Sequence, residues 1–446
     1  MENNTAGPGN IKQFVIASNG GGSGGGDVDL AAGVVEYKFY ESILSNHITA
    51  TATIIETGNG DGAAAKGVID GLPLRGGEET DIQVEDAQGN TIDLQVKLHV
   101  NRVRDANPGT QQDLYYIDFA SKDLFKNETT RVTKRYEGKI SDHVQEILSD
   151  VLETDAQSDV DDTSLEYNFY GNSKKPFYTL TWLASKSVPD TGSSSGGSGS
   201  DNEGGAGGYL FFQTRDGFFF KSIDKIFGEG SASKKFIYNN TGRSVSGYDA
   251  NILKYEIGSD IDLDNRLLTG AYNNKTVYFD FVAMNYRTKE FDIRKQEGKV
   301  KTAGSDFVNV NEDFIEEPSR LYFRIQDIGV NNKGSGDSQL DDWKGEPREP
   351  NFKDEQSMVQ TVMRYNQLLT VQTNIIIPGD FTIKAGDLVE CEFPQLESKL
   401  NRETNKQSGG IYMVASVCHR VTPRETFTSL GLVRDSFGKK GGFGGF

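Results

Sequence analysis

Four histidines and two cysteines carry the most reactive side chains, and their spacing decides what chemistry they could share. No two of His47, His99, His143 and His419 stand in an HExxH arrangement, and the chain has no CxxC pair, so the common spacings of zinc ligands are missing. Cys418 directly precedes His419, so in a strand the two point to opposite faces, which argues against a catalytic pair. We therefore expect structural or surface histidines, no metal and no cofactor.

Glycine runs and paired carboxylates are the other arrangements that could hold a ligand or perform a reaction. The run GGGSGGG at 20–26 lacks the GK[ST] ending of a phosphate-binding loop, and no helix is predicted after it to orient backbone amides. The same objection applies to the Gly/Ser-rich stretch 191–208, and no GxSxG nucleophile elbow occurs. Pairs such as Asp161-Asp162 could supply the two acids of a hydrolase, but chance explains them among 65 acidic residues. These patterns predict mobile loops, a solvated acidic surface and no enzyme activity.

Charge and composition restrict the class of protein. The net charge is -18, from 65 acidic and 47 basic residues, which argues against a general nucleic-acid binder because that role needs a basic surface. An acidic surface suits a conduit that DNA crosses without adhering, although simple solubility also explains it. No apolar run approaches the roughly 20 residues of a membrane span, and the N-terminus lacks a secretion-signal pattern. Cys391 and Cys418 could form a disulfide, but free thiols in a reducing cytoplasm are the preferred interpretation.

Strand patterns dominate the first 121 residues. Alternation of apolar and polar residues is clearest over 91–104, TIDLQVKLHVNRVR, which predicts a strand with one buried face. Turn signals separate it from its neighbours, as expected of a small barrel or sandwich. Further strands are predicted at 11–17, 30–56, 67–75, 80–86 and 113–120.

The pattern then changes to a mixture of helices and strands. Helical spacing of apolar residues predicts a helix over 140–153, and a second is predicted over 176–188 with Pro176 in its first turn. YLFFQTRDGFFFKSID at 209–224 predicts a β-hairpin that turns at Arg215-Asp216-Gly217. Strands are predicted again over 236–270, 275–330, 369–394 and 410–437, and a helix over 354–369.

Two stretches resemble a known family. The Pro-led helix with the hairpin YLFFQTRDGFFFKSID, within 168–227, resembles the baseplate hub protein of T-even-type contractile-tailed phages. The stretch IIIPGDFTIKAGDLVECEFPQ at 375–395 resembles the second barrel of the same family. The glycine-rich loops at 18–27 and 191–208 and the polar stretch 331–353 are longer than a compact hub needs.

The resemblance implies a fold class and a domain order. The class is a β-rich α+β multidomain chain with two related tube-forming β-barrels, the second split by an insertion, and an α+β domain. The implied domains are a first barrel at 1–122 with a mobile N-terminus and a loop at 18–29, an α+β domain at 123–235 with a loop at 191–208, a second barrel at 236–270 and 369–437, an inserted strand-rich domain at 271–368 and a disordered tail at 438–446.

The resemblance also implies a function and partners. Three copies would form a ring that matches a threefold central spike to a sixfold tail tube, with an acidic lumen for DNA. The expected partners are the spike, the tube or its initiator, the tape-measure protein and neighbouring baseplate wedge proteins, with no specific DNA binding and no membrane insertion. The protein would reside in the virion tail baseplate after assembly in the host cytoplasm.

Two other functions stay open, a baseplate-associated cell-wall hydrolase and a peripheral tail adhesin. An adhesin commonly shows fibrous repeats, and the sequence has none. Under the hub hypothesis, the hairpin and the second-barrel strands are the predicted interface with another subunit or the spike. The predicted interface residues are Phe218, Phe219, Phe220, Ile375, Ile377, Phe381, Glu390 and Glu392.

Overall fold

The structure is a computed structural model of a β-rich chain with few helices. Its strands gather around separate apolar cores, and its helices are confined mainly to the middle of the sequence. The residues it describes are 6–19, 27–57, 74–92, 94, 97–108, 112–190, 207–239, 244–259, 262–281, 284–296, 300–305, 310–327, 351–352, 354–395, 405 and 407–439.

The first seven strands form the N-terminal β-unit. A three-stranded sheet, β2-β1-β5, lies over the strands β3, β4, β6 and β7, and their apolar side chains interdigitate between the two layers. Phe14 of one layer meets Phe119 of the other edge-to-face, with ring centroids 5.7 Å apart. The strands are β1 (Asn10–Ile16), β2 (Val28–Asp29), β3 (Val34–Ser42), β4 (Thr49–Glu56), β5 (Thr80–Glu85), β6 (Leu98–Pro108) and β7 (Asp113–Ser121).

The middle unit mixes helices with a small sheet in the order β11-β12-β9. Helix α3 begins with Pro176, as predicted, and packs Phe177 against Phe211 and Phe218 of the hairpin. The elements are α1 (Lys122–Thr129), β8 (Arg135–Tyr136), α2 (Ile140–Glu146) continued by a π-turn (Ile147–Val151), β9 (Ser158–Val160), β10 (Phe169–Tyr170), α3 (Pro176–Ala184), β11 (Tyr209–Thr214), β12 (Gly217–Ser222) and α4 (Ile223–Glu229).

The remaining strands form the C-terminal β-unit and an inserted sheet of order β17-β16-β18. The inserted sheet reaches the rest of the chain through a small core that includes Met363 of α6 together with Phe291 and Ile293. The elements are β13 (Lys234–Tyr238), β14 (Ala250–Ile252), β15 (Lys254–Ser259), α5 (Leu263–Leu268), β16 (Asn273–Asp280), β17 (Asn285–Asp292), β18 (Arg320–Ile325), α6 (Asp354–Leu368), β19 (Val371–Pro378), β20 (Leu388–Glu392), β21 (Gly410–Val421) and β22 (Thr426–Arg434).

One long strand joins the two β-units into a single sheet. The first part of β21 pairs with β20, and its last part, from Ser416 to Val421, pairs with β3 of the N-terminal unit. Its other edge pairs with β22. The β-rich class is confirmed. The two predicted barrels are not: the described ladders close neither of them. Instead, strands of both units pair through β21 and form one eleven-stranded sheet.

Local predictions from the sequence have mixed outcomes. The helices near 140–153, 176–188 and 354–369 and the hairpin at 209–224 are confirmed, with α3 ending early at Ala184. The strand predicted over 91–104 is wrong at its start, because Thr91 pairs with Glu85 across a turn and β6 begins at Leu98.

Two further outcomes concern the later part of the chain and the loops. The stretch 236–270, predicted as strands, includes α5, whose first turn is capped by Asp262 through the backbone amide of Asn265 at 3.0 Å. The glycine-rich runs at 20–26 and 191–206, the strand predicted from 67 to 73 and the tail from 440 lie outside the described residues.

Candidate functional site

One face of the common sheet continues across both β-units, and we call it the shared face. Side chains on the opposite face, such as Phe39, Ile117 and Leu430, are buried in the two cores. Because successive residues of a strand alternate between faces, their neighbours form the shared face. One row across it runs, in order, Thr49, Tyr40, Cys418, Ser429, Ile376 and Lys254.

Two groups of opposite charges lie on the shared face. Arg420 donates from Nε to Glu36 at 2.6 Å, and the Lys38 ammonium lies 2.6 Å from the same carboxylate. Burial alone would raise the pKa of Glu36, but the hydrogen bonds from Lys38 and Arg420 outweigh it and hold the pKa below its ordinary value. Arg104 binds Asp118 in the same way, through Nε at 3.0 Å and Nη2 at 3.2 Å. Two cations of this face are therefore held by carboxylates of the same face.

A cleft of about 780 Å³ lies in the shared face. Both β-units line it, with Tyr40 and Thr51 from the N-terminal unit and Asn374, Cys418 and Glu256 from the C-terminal unit. The shared face is therefore concave where the two units meet.

Behind this face, the turn of the β11–β12 hairpin ties the three units together through Arg215. The Arg215 amide donates to Glu41 Oε1 of β3 at 2.9 Å, and its guanidinium donates to the carbonyl oxygens of Phe381 and Ile383. The second oxygen of Glu41 accepts from the Ala385 amide at 3.0 Å. We call this group the Arg215 junction. Both of its charged side chains are buried, so each charge depends on the other.

His419 belongs to the same junction as a neutral side chain. Burial lowers its pKa well below the ordinary value, and the positive charge of Arg215 lowers it further. Its Nε2 lies 3.3 Å from Arg215 Nη2 and 3.2 Å from the carbonyl oxygen of Ile383, and its Nδ1 lies 3.0 Å from Thr428 Oγ1, so both ring nitrogens have polar partners. The prediction that a histidine in this chain is a satisfied structural residue is confirmed here.

A second buried ionic group holds α6 against the chain. Arg364 donates to Asp435 Oδ2 at 2.8 Å and lies 2.9 Å from Asp224 Oδ1. Its Nη2 also donates to the carbonyl oxygen of Lys301 at 2.9 Å, and Asp435 accepts from the Ala303 amide at 2.9 Å. The Arg364 guanidinium therefore connects α6 with the middle unit, the stretch 300–305 and the end of β22.

The three predicted interface phenylalanines lie on both sides of β12. Phe218 and Phe220 are buried in the core of the middle unit, and Phe219 is half-buried on the other side, where it stacks on Phe212 with ring centroids 5.4 Å apart. The prediction that Phe219 faces away from the other two is confirmed. A buried ring offers no surface to another chain, so only Phe219 of the three is accessible.

The other predicted interface residues belong to the C-terminal unit. Ile375 and Ile377 fill its core, and buried Phe381 packs edge-to-face on His419 at 5.0 Å. Glu390 and Glu392 are half-buried and form ion pairs: Lys439 lies 3.1 Å from Glu390 and 2.9 Å from Glu392, and Lys235 lies 3.1 Å from Glu390. Any role for the eight residues in contacts between chains stays a prediction.

Neither the Arg215 junction nor the shared face was predicted from the sequence. The only local signal of the junction is the Arg-Asp-Gly turn, where an exposed arginine is the ordinary expectation. Within the described ranges, no group of three or more His, Cys, Asp and Glu side chains is placed to hold a metal ion. No helix of that same part of the chain is long and apolar enough to cross a membrane.

Comparisons with known proteins give a fold. No protein-family model matches the chain, and no curated protein sequence matches it significantly. A tail protein from Neisseria meningitidis MC58 superposes with a TM-score of 0.50 at 9% identity, over 95% of this chain and 96% of that one. The 43 kDa tail protein of prophage MuSo2 from Shewanella oneidensis superposes with a TM-score of 0.51 at 9% identity, over 95% and 98%. The chain therefore has the fold of these two tail proteins.

Proposed function

We propose that this protein is a structural baseplate hub subunit of a contractile phage tail and performs no catalysis. Three copies form a ring that matches a threefold central spike to a sixfold tail tube. The protein is assembled in the host cytoplasm and resides in the virion baseplate. Its partners are two further copies of itself, the spike, the tube or its initiator, the tape-measure protein and neighbouring wedge proteins.

The observation that carries this proposal is the fusion of two β-units through β21 and β3. Each unit wraps strands around its own core, and the ladder from Ser416–Ser42 to Val421–Tyr37 fixes the two units side by side. Three copies of a chain with two such units present six of them around one axis. A threefold ring can then offer a sixfold tube six similar surfaces. The fold shared with the two tail proteins supports the same assignment.

The shared face is our candidate for the lining of the channel. It is concave, and carboxylates hold two of its cations, in the pairs Arg420–Glu36 and Arg104–Asp118. Binding to DNA draws much of its free energy from cations that replace the counterions of phosphate. A lining whose cations are already neutralised gives little adhesion, and the overall charge of -18 opposes it further.

The test is the position and copy number of the chain in the tail. We expect three copies in a ring on the tail axis in a cryo-EM map of the particle, with the shared face toward the lumen. Light scattering of the purified hub with its spike should give three chains of 49.0 kDa per complex. One chain per complex, or a position away from the axis, would contradict the proposal. Hydrolysis of purified cell wall by the protein alone would instead favour an enzyme.

A further inference from the structure

The inserted sheet β17-β16-β18 carries apolar side chains on both of its faces. The side toward the rest of the chain buries the polar residues Asn274 and Thr276, 0% and 1% exposed, together with the rings of Tyr278 and Phe291. The outward side also carries apolar residues, with Phe323 75% and Ile325 71% exposed. A sheet with one wet face normally carries polar residues on that face. The apolar outward side therefore indicates that it is covered in the working assembly.

The exposed apolar side chains form one continuous surface. Phe279 of β16 lies opposite Tyr286 of β17 and Ile325 of β18, and the preceding outward residue of β16, Val277, lies opposite Phe323. Residues directly opposite each other in a ladder share a face. We call this surface the outer apolar face and define it by Val277, Phe279, Tyr286, Leu321, Phe323 and Ile325.

The area of this face corresponds to one side of a protein interface. With roughly 150–250 Å² available per aromatic side chain, its exposed part is on the order of 600 Å². One partner in a standard protein–protein complex buries about 800 Å². Single exposed apolar residues are ordinary on proteins, but a contiguous patch of this size marks a contact with a macromolecule.

Charges beside the face indicate the chemistry of its partner. Four acidic residues lie in the short stretch that leads into β18: Glu312, Asp313, Glu316 and Glu317. The Ser319 amide donates to the carbonyl oxygen of Asn273 at 3.2 Å, so the acidic stretch ends beside the start of β16, close to the Lys275–Leu321 end of the face. A second copy would bring the same carboxylates and a charge of -18, so like charges would meet. A partner with basic residues is favoured instead.

The width of the sheet indicates the form of the partner. Three strands at a spacing of about 4.8 Å give a face about 14 Å wide, and six residues per strand give a length of about 20 Å. A single helix with its side chains is about 10 Å across and covers that length with about 13 residues. A sheet with one bare apolar face is half of a two-layer structure, and a helix is the element that ordinarily completes it.

We propose that the outer apolar face is the docking site for a basic amphipathic helix of another protein in the assembly. The apolar side of the helix lies along β16 and β18, and its Lys or Arg residues at one end meet the carboxylates of Glu312–Glu317. This proposal goes beyond the hub assignment and does not depend on it, since the site belongs to a single chain.

The test uses the full chain and a synthetic helical peptide of about 18 residues, built from Leu on one side and Lys on the other. The variant Phe323→Gln/Ile325→Gln changes two exposed residues, so its fold should persist. The matched control is Leu44→Gln/Leu268→Gln, at exposed positions outside this face. We expect the variant to lose at least about tenfold in affinity by fluorescence anisotropy, while the control binds like the parent.

Two further measurements locate the site and define its partner. A peptide with Glu in place of Lys should bind at least about tenfold more weakly, and hydrogen exchange should slow in 273–292 and 320–325 when the Lys peptide binds. Equal binding by parent and variant would overturn the proposal. So would a dimer of the parent alone that the variant abolishes, because that result assigns the face to a second copy. Neither result bears on the hub assignment, which rests on position in the tail.

Discussion

Arg215 shows how a residue in a turn can hold three units together. Its guanidinium and the Glu41 carboxylate are both buried and 3.2 Å apart, and burial raises the pKa of Glu41 despite the opposing charge of Arg215. Removing one partner of such a pair leaves an uncompensated buried charge. The free energy lost in this way exceeds the net stabilisation that the intact pair provides. The junction is therefore a position where a single substitution affects every unit.

The first prediction concerns that residue. Arg215→Met should lower the free energy of unfolding by about 3 to 5 kcal/mol, because Glu41 remains buried without its partner. The control is Arg104→Met, which breaks the half-exposed pair with Asp118 and should cost about 1 kcal/mol or less. Urea titration at neutral pH measures both. Adding Glu41→Gln to Arg215→Met should restore part of the loss, and equal losses in the two single variants would contradict the argument.

At the scale of elements, the β11–β12 turn depends on a glycine. Gly217 has a φ of +128°, and a Cβ there would lie 2.1 Å from the carbonyl oxygen of Gln157. Gly89 is the control: its φ is +89°, but no atom lies within 4 Å of an added Cβ. A substitution there therefore measures backbone strain without a steric clash. Gly89→Ala should therefore cost about 1 to 2 kcal/mol, and Gly217→Ala at least about 2 kcal/mol more. Thermal unfolding of the two variants checks the difference, and equal shifts would show that the hairpin moves to relieve the contact.

Elements whose signal is local were predictable from the sequence. The hairpin was predictable because its aromatic residues flank an Arg-Asp-Gly turn, and α3 because Pro176 suits a first helical turn and Pro189 ends the segment. The pairing of β21 with β3 was not predictable, since Cys418 and Tyr40 come from opposite ends of the chain and no local pattern links them. The burial of Arg215 was missed for the same reason: the groups that accept its hydrogen bonds are distant in sequence.

At the scale of the whole molecule, the β21–β3 ladder and the buried residues Arg215 and Arg364 connect units that have separate cores. Each core alone could form an independent unfolding unit, as in many multidomain chains. Here, opening the middle unit withdraws Arg215 from Glu41, and it separates Asp224 from Arg364 of α6. The loss of one unit therefore exposes unpaired charges in the others, which favours a single cooperative transition.

The last prediction follows from this coupling. In a Trp343→Phe background, Trp182 is the only tryptophan left and reports on the middle unit through its contacts with Tyr167 and Phe169. Circular dichroism reports mainly on the strands of both β-units. The two probes should give coincident urea transitions, and Arg215→Met should move both to lower urea by the same amount. Two separated transitions, or a shift confined to the fluorescence, would mean that the units unfold independently and that the shared sheet does not couple them.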